Sequence, residues 1–220
     1  MDKKCKVIIF DVDGTLINPE EGVCRAVNYV IKKYNLTPIP NKDLLAFNGP
    51  PIHKSFLKHY RLSKSEIDKL VETFRTRYKD NDLFYAYVYE GIYQLFESLV
   101  YDGYRIGIAT YKRQDYATKL MQHFQFDKYA EVICGSDVDN KLTKKDIIAN
   151  CLAELKVEDY SQVIMVGDSD NDAIAAKNLN IHFLGVTYGF GFEKEEDMVE
   201  YQPIGCAHAP QDVYCIIKEF

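Results

Sequence analysis

Five short apolar runs constrain this chain more than any other feature. They occupy residues 7–10, 106–109, 132–134, 163–166 and 181–184. Runs of this length without polar alternation suit strands buried on both faces of a parallel sheet. Helical patterns separate the later runs. Leu95, Phe96, Leu99 and Val100 share one face and the pattern stops at Gly103. A second helix opens near Arg113. A third has Thr143 as a plausible N-cap and carries Ile147, Ile148, Cys151, Leu152 and Leu155 on one stripe. A short fourth follows Asp170. From residue 104 onward the order β-α-β-α-β-α-β predicts an α/β fold, a Rossmann-like parallel sheet with helices on both faces.

Residues 17–88 break that rhythm and show no strand pattern. A helix is expected over 21–35, with Val23, Ala26, Val27, Val30 and Ile31 inward. Another follows Pro50 and Pro51, over 52–60. A third is expected over 63–80, where Ser63 followed by Glu66 forms a capping-box pattern. A parallel crossover needs only about a dozen residues. The excess predicts a small α-helical domain inserted into the core. The expected division is a core of residues 1–16 and 86–220 and an inserted domain of 17–85.

Polar residues gather where the predicted strands end. Asp11-Val12-Asp13-Gly14-Thr15 follows the first run, Thr110 the second, and Asp168 the fourth, with Asp172 four residues on. Lys144 opens a helix. In open α/β sheets, ligands bind outside the carboxyl ends of the strands. Taken singly, each feature has an ordinary explanation: a turn, a cap, a solvated lysine. Their conjunction on one edge of one sheet does not. The formal net charge of -6 disfavours general nucleic-acid binding, which wants a basic face. It also means that a phosphate substrate would need a cation to neutralise the site.

The six cysteines (Cys5, Cys24, Cys134, Cys151, Cys206 and Cys215) form no C-x-x-C pair and read as reduced thiols. The start of the chain lacks the apolar core of a signal peptide. No apolar run approaches the roughly 18 residues of a membrane span. A cytoplasmic protein is expected, with neither membrane nor nucleic acid as partner.

The motifs "DVDGT", "IATYK", Lys144 and "GDSDND" together resemble those of the haloacid dehalogenase superfamily of phosphotransferases. The resemblance covers essentially the whole chain, including a helical cap inserted after the first strand. "FNGPPIHKSF" from Phe47 and "VTYGFG" from Val186 resemble segments of its phosphoglycolate phosphatase and 5'-nucleotidase-like branch. The return linker "VYEGI" departs from that branch, having Glu90 where a proline is expected, which leaves the stiffness of the hinge open.

The resemblance implies a Mg²⁺-dependent phosphatase acting on a small phosphorylated metabolite, as a monomer or weak homodimer. Asp11 would be nucleophile and metal ligand, forming an aspartyl-phosphate. Asp168 would be a second carboxylate on the metal, with Asp172 orienting either Asp168 or a metal-bound water from behind. Asp13 would protonate the leaving oxygen and bind the metal through its carbonyl, keeping its proton because it lacks a cationic partner. Gly14 would allow a tight turn that brings N–H groups to the phosphoryl oxygens. Thr110 would hydrogen-bond one of these, and Lys144 would neutralise charge on Asp11. The run Lys144-Lys145 leaves both lysines open, although Ile147 and Ile148 favour Lys144. Tyr111 and Lys112 would lie at the site, Lys112 at its rim. Asn48, Gly49 and His53 would face substrate from the cap. A phosphosugar mutase of the same superfamily shares all four motifs and is the alternative; a non-catalytic scaffold is a third reading.

Overall fold

The computed structural model describes residues 6–138 and 141–220. The core sheet has six strands: β1 (Val7–Phe10), β4 (Arg105–Arg113), β5 (Val132–Ser136), β6 (Val163–Gly167), β7 (His182–Val186) and β8 (Cys206–Ala207). Their order is β5-β4-β1-β6-β7-β8, and every pairing is parallel. Val7, Ile8, Ile9 and Phe10 are all buried, as a strand covered on both faces requires. Strand β1 is central. The chain winds outward from it to β4 and β5, then returns to begin β6 on its other side. That reversal creates the crevice in which such sheets bind ligands, beyond the carboxyl ends of β1 and its neighbours.

Alternate residues of β1 face opposite layers. Val7 and Ile9 join a cluster with Ile147, Ile148, Cys151 and Leu152 of α7 (Lys144–Glu154) and Ala173 and Ala176 of α8 (Asp170–Leu179). Phe10 meets Phe96 of α5 (Ile92–Tyr101) edge-on, ring centroids 5.3 Å apart. Helix α9 (Pro210–Glu219) packs against α5, and α6 (Gln114–His123) against β4 and β5. No helix among the described residues is long and apolar enough to cross a membrane. The five described cysteines are free thiols; Cys5 lies outside the described residues.

A second compact unit spans Pro19–Tyr87. It holds α1 (Glu20–Lys33), α2 (Asn41–Leu44), α3 (Ile52–His59) and α4 (Lys64–Arg77). Ser63 and Glu66 close the capping box that opens α4. The apolar centre is aromatic: Phe56 is fully buried and meets Phe47 edge-on at 5.4 Å. Helix α4 ends at Arg77 rather than running to residue 80. A π turn over Tyr78–Asp82 follows, its buried Asp82 accepting from Arg77 Nε at 2.6 Å and Arg25 Nε at 3.0 Å. The expected absence of strands over 17–88 is corrected. Two-residue strands β2 (Ile17–Asn18) and β3 (Tyr87–Val88) pair with each other where the chain leaves and re-enters the core. The units accordingly divide after Asn18 and after Tyr87, a little beyond the expected 16 and 85.

Candidate active site

The site grows from the end of β1. The Asp11 N–H still donates to the Val166 carbonyl at 3.0 Å, so the ladder with β6 delivers the Asp11 side chain to the sheet edge. The chain then reverses over a single acceptor. The Val12 carbonyl takes the N–H groups of Leu16 and Ile17 at 2.9 and 3.0 Å. Gly14 has φ +81, and a Cβ there would stand 2.1 Å from Asp168 Oδ2. Only glycine satisfies both conditions. Its N–H donates to the Ile17 carbonyl at 2.9 Å, so it holds the turn together rather than standing available to a phosphoryl oxygen.

Asp168 follows β6 directly. Its Oδ2 accepts the N–H groups of Phe190 and Gly191, at 2.7 and 3.2 Å, which orients the carboxylate. Asp172, in the first turn of α8, uses Oδ2 to cap that helix through Ser169 N–H and Oγ–H, at 3.2 and 2.7 Å. Its Oδ1 lies 2.8 Å from Lys144 Nζ. Asp11, Asp168 and Asp172 offer ligand oxygens that all lie within 4.8 Å of one another.

Lys144 is the first residue of α7, and its ammonium donates to Asp11 Oδ1 at 2.5 Å. A buried lysine at a helix N-terminus opposes the helix dipole. The two carboxylates are what hold it there. Lys145 is exposed, so Lys144 is the lysine that reaches the cluster. Tyr111 also positions this residue, its hydroxyl accepting the Lys144 backbone N–H at 3.0 Å. Thr110 lies within β4 rather than after it and is buried. Its Oγ1 accepts the Lys112 N–H at 3.2 Å, leaving its own proton to donate.

One expectation about Asp13 is corrected. It does have a cationic partner: Lys112 Nζ lies 3.0 Å from Asp13 Oδ2. The Lys112 side chain is only 7% exposed, so it is not a solvated rim residue. Asn48, Gly49 and His53 belong to the second unit. Asn48 is buried, and its Nδ2 donates to the Leu45 carbonyl at 2.9 Å. Gly49 has φ +91 with open space where a Cβ would go. His53 lies in the first turn of α3, where burial and then Lys54 lower its pKa.

Three carboxylates face one ammonium in this buried cluster. Burial pushes Asp11 up to about 8; Lys144 opposes the rise, while Asp172 and Asp168 add to it. Burial, then Asp172, pushes Asp168 up to about 7. Burial would lower Lys144, but Asp11 and Asp172 outweigh it and hold its pKa above the ordinary value. Excess buried negative charge on hard oxygen donors fits a divalent cation of the Mg²⁺ or Ca²⁺ kind.

Sequence reasoning missed how the loop after β7 serves the site. Tyr188 donates to the Thr15 carbonyl at 3.0 Å, and the next residues wrap Asp168. A Cβ on Gly189 would stand 2.4 Å from Asp168 Oδ2, and one on Gly191 2.3 Å from the Asp168 carbonyl. The alternating glycines of "YGFG" were the available signal.

Residues 8–186 match the family model of haloacid dehalogenase-like hydrolases. The chain is 31% identical over 196 residues to a 5'-nucleotidase of Pseudomonas aeruginosa, covering 89% of this chain and 88% of that one. It is 30% identical over 203 residues to a phosphoglycolate phosphatase of Agrobacterium fabrum, covering 89% and 84%. The crystal structure of a predicted phosphatase from Clostridium acetobutylicum superposes with a TM-score of 0.89 at 30% identity, covering 98% and 99%.

Proposed function

The chain belongs to the haloacid dehalogenase-like hydrolases, and on that premise we propose that it is a Mg²⁺-dependent phosphatase of small phosphate monoesters. The observation that carries the reading is the buried Asp11–Asp168–Asp172 cluster with Lys144 on two of its members. The relatives' names point to nucleotide-like or phosphoglycolate-like substrates.

Asp11, Asp168 and the carbonyl of Asp13 would hold the cation. When bound, it neutralises the charge that otherwise keeps a phosphate dianion away from carboxylates. The Asp11 carboxylate attacks phosphorus, forming a P–O bond as the bond to the leaving oxygen breaks. Asp13 gives that oxygen a proton, and the alcohol departs. Water then attacks the aspartyl-phosphate, passing a proton to Asp13 as phosphate leaves and Asp11 is restored. Thr110 donates to a phosphoryl oxygen. Lys144 neutralises charge on Asp11 and the transferring group. Asp172 orients Lys144 and supports α8. We also propose that the Pro19–Tyr87 unit acts as a cap and that Asn48, Gly49 and His53 select the leaving group.

The test is phosphate release from p-nitrophenyl phosphate with Mg²⁺ present. The wild type is expected to turn over, and Asp11→Asn to lose about 10⁴-fold or more while remaining folded. A folded Asp11→Asn protein with wild-type turnover would overturn the nucleophile assignment.

A further inference from the structure

The ion pair between Asp13 and Lys112 divides the two oxygens of Asp13. Oδ2 is held by Lys112 Nζ at 3.0 Å, with the lysine side chain 7% and the aspartate side chain 16% exposed. Oδ1 is buried and finds no hydrogen-bond partner among the described residues. A buried carboxylate oxygen left without a partner is costly, and a ligand group that meets it relieves the cost. The backbone also favours delivery of the lysine. The pairing of β4 with β5 shifts register between Ala109 and Arg113, and such irregularities re-aim side chains. The Lys112 N–H is anchored on Thr110 Oγ1 at 3.2 Å.

We infer that Lys112 is a positioning residue, which by holding Asp13 Oδ2 turns Oδ1 toward the reacting oxygen. This rests on the phosphatase reading above. In the first half-reaction a proton taken up on Oδ1 from solvent, with Oδ2 still held by Lys112, passes to the leaving oxygen as the P–O(leaving) bond breaks and the P–O(Asp11) bond forms. In the second, water forms a P–O bond and gives a proton to Oδ1 as the P–O(Asp11) bond breaks. Lys112 keeps its protons throughout. Its contribution is the angle of the carboxylate.

p-Nitrophenyl phosphate separates the two halves, because p-nitrophenolate departs without needing a proton. The quantity kcat/KM then reports phosphorylation of Asp11, and kcat reports the proton-requiring hydrolysis once that step is slow. Lys112→Met is expected to lower kcat about 10- to 100-fold, part of the range general acid–base groups contribute. KM should fall with it, kcat/KM should stay within about 3-fold, and acid-quenched phosphoenzyme should accumulate. Lys112→Gln, less disruptive to folding, should behave alike, and Lys112→Arg should recover most of kcat. In an Asp13→Asn background, Lys112→Met should add no further loss. A raised KM with kcat retained would mean that Lys112 binds substrate instead. Unchanged kinetics, or full additivity in the Asp13→Asn background, would also overturn the inference, while leaving the phosphatase reading intact. An inactive wild type would fail that reading and this inference with it.

Discussion

At the residue scale the site depends on charges that are costly until matched. Lys144 is buried at the start of α7 and stands between Asp11 and Asp172. Lys144→Ala is expected to lower kcat by about 10²–10³-fold, the size of losing one donor to developing charge. Lys145→Ala, at an exposed position, should leave steady-state rates within about 2-fold. The raised carboxyls also set a pH dependence. Asp11 and Asp168 ordinarily titrate at 3.8 but in the folded protein do so at about 8 and about 7, chiefly through burial. Between about pH 4 and pH 8 the metal-free folded state therefore holds protons that the unfolded state has released. Its stability should fall as pH rises across that window. A divalent cation competes with those same protons. Added Mg²⁺ should accordingly raise the Tm more at about pH 8.5 than at about pH 6. Equal shifts at both pH values would contradict the placement of the cation on these carboxylates. The Asp11 and Asp168 positions were legible because they follow continuous apolar runs. The Lys112–Asp13 pair was not, since Lys112 and Asp13 are far apart in the chain and meet only through the β1–β4 pairing.

At the scale of the elements, legibility followed length. The strands β1, β4, β5, β6 and β7 each contain a continuous apolar run, and helices elsewhere in the chain carry caps. Thr143 and Asp146 close a capping box on α7, as Ser63 and Glu66 do on α4. β2, β3 and β8 are two residues each. Two residues display no period, so only tertiary pairing reveals them. Helix α9 went unread although it packs on α5. The π turn after α4 was equally hidden: the sequence continues a helical pattern, and the pull of Arg25 and Arg77 on Asp82 decides the geometry. Within the second unit, Phe56 is the fully buried centre of an aromatic cluster with Phe47 and Phe74. Phe56→Ala should destabilise by about 3–5 kcal/mol. Hydrogen exchange should rise first in α3 and α4, since α3 and α4 pack together around it. Loss of protection confined to the core sheet would contradict the assignment of Phe56 to this unit's own core.

At the scale of the whole molecule, the chain forms two compact units. Every residue of the acidic cluster, with Lys144, Thr110, Asp13 and Lys112, belongs to the unit built on the parallel sheet. The proposed chemistry therefore draws on one unit, and the proposed substrate selection on the other. The α/β class was legible because strand and helix alternate without interruption from residue 104 onward. The substrate was not, because the residues proposed to choose it, an asparagine and a glycine in a loop and a histidine in the first turn of α3, suit many leaving groups. In the proposed reaction the phosphoryl group passes through a covalent bond to Asp11. Acid quench during turnover, followed by peptide mass spectrometry, tests it directly. One phosphoryl adduct is expected on the peptide containing Asp11, absent in Asp11→Asn. Turnover with no adduct there, or with the adduct on another residue, would contradict it.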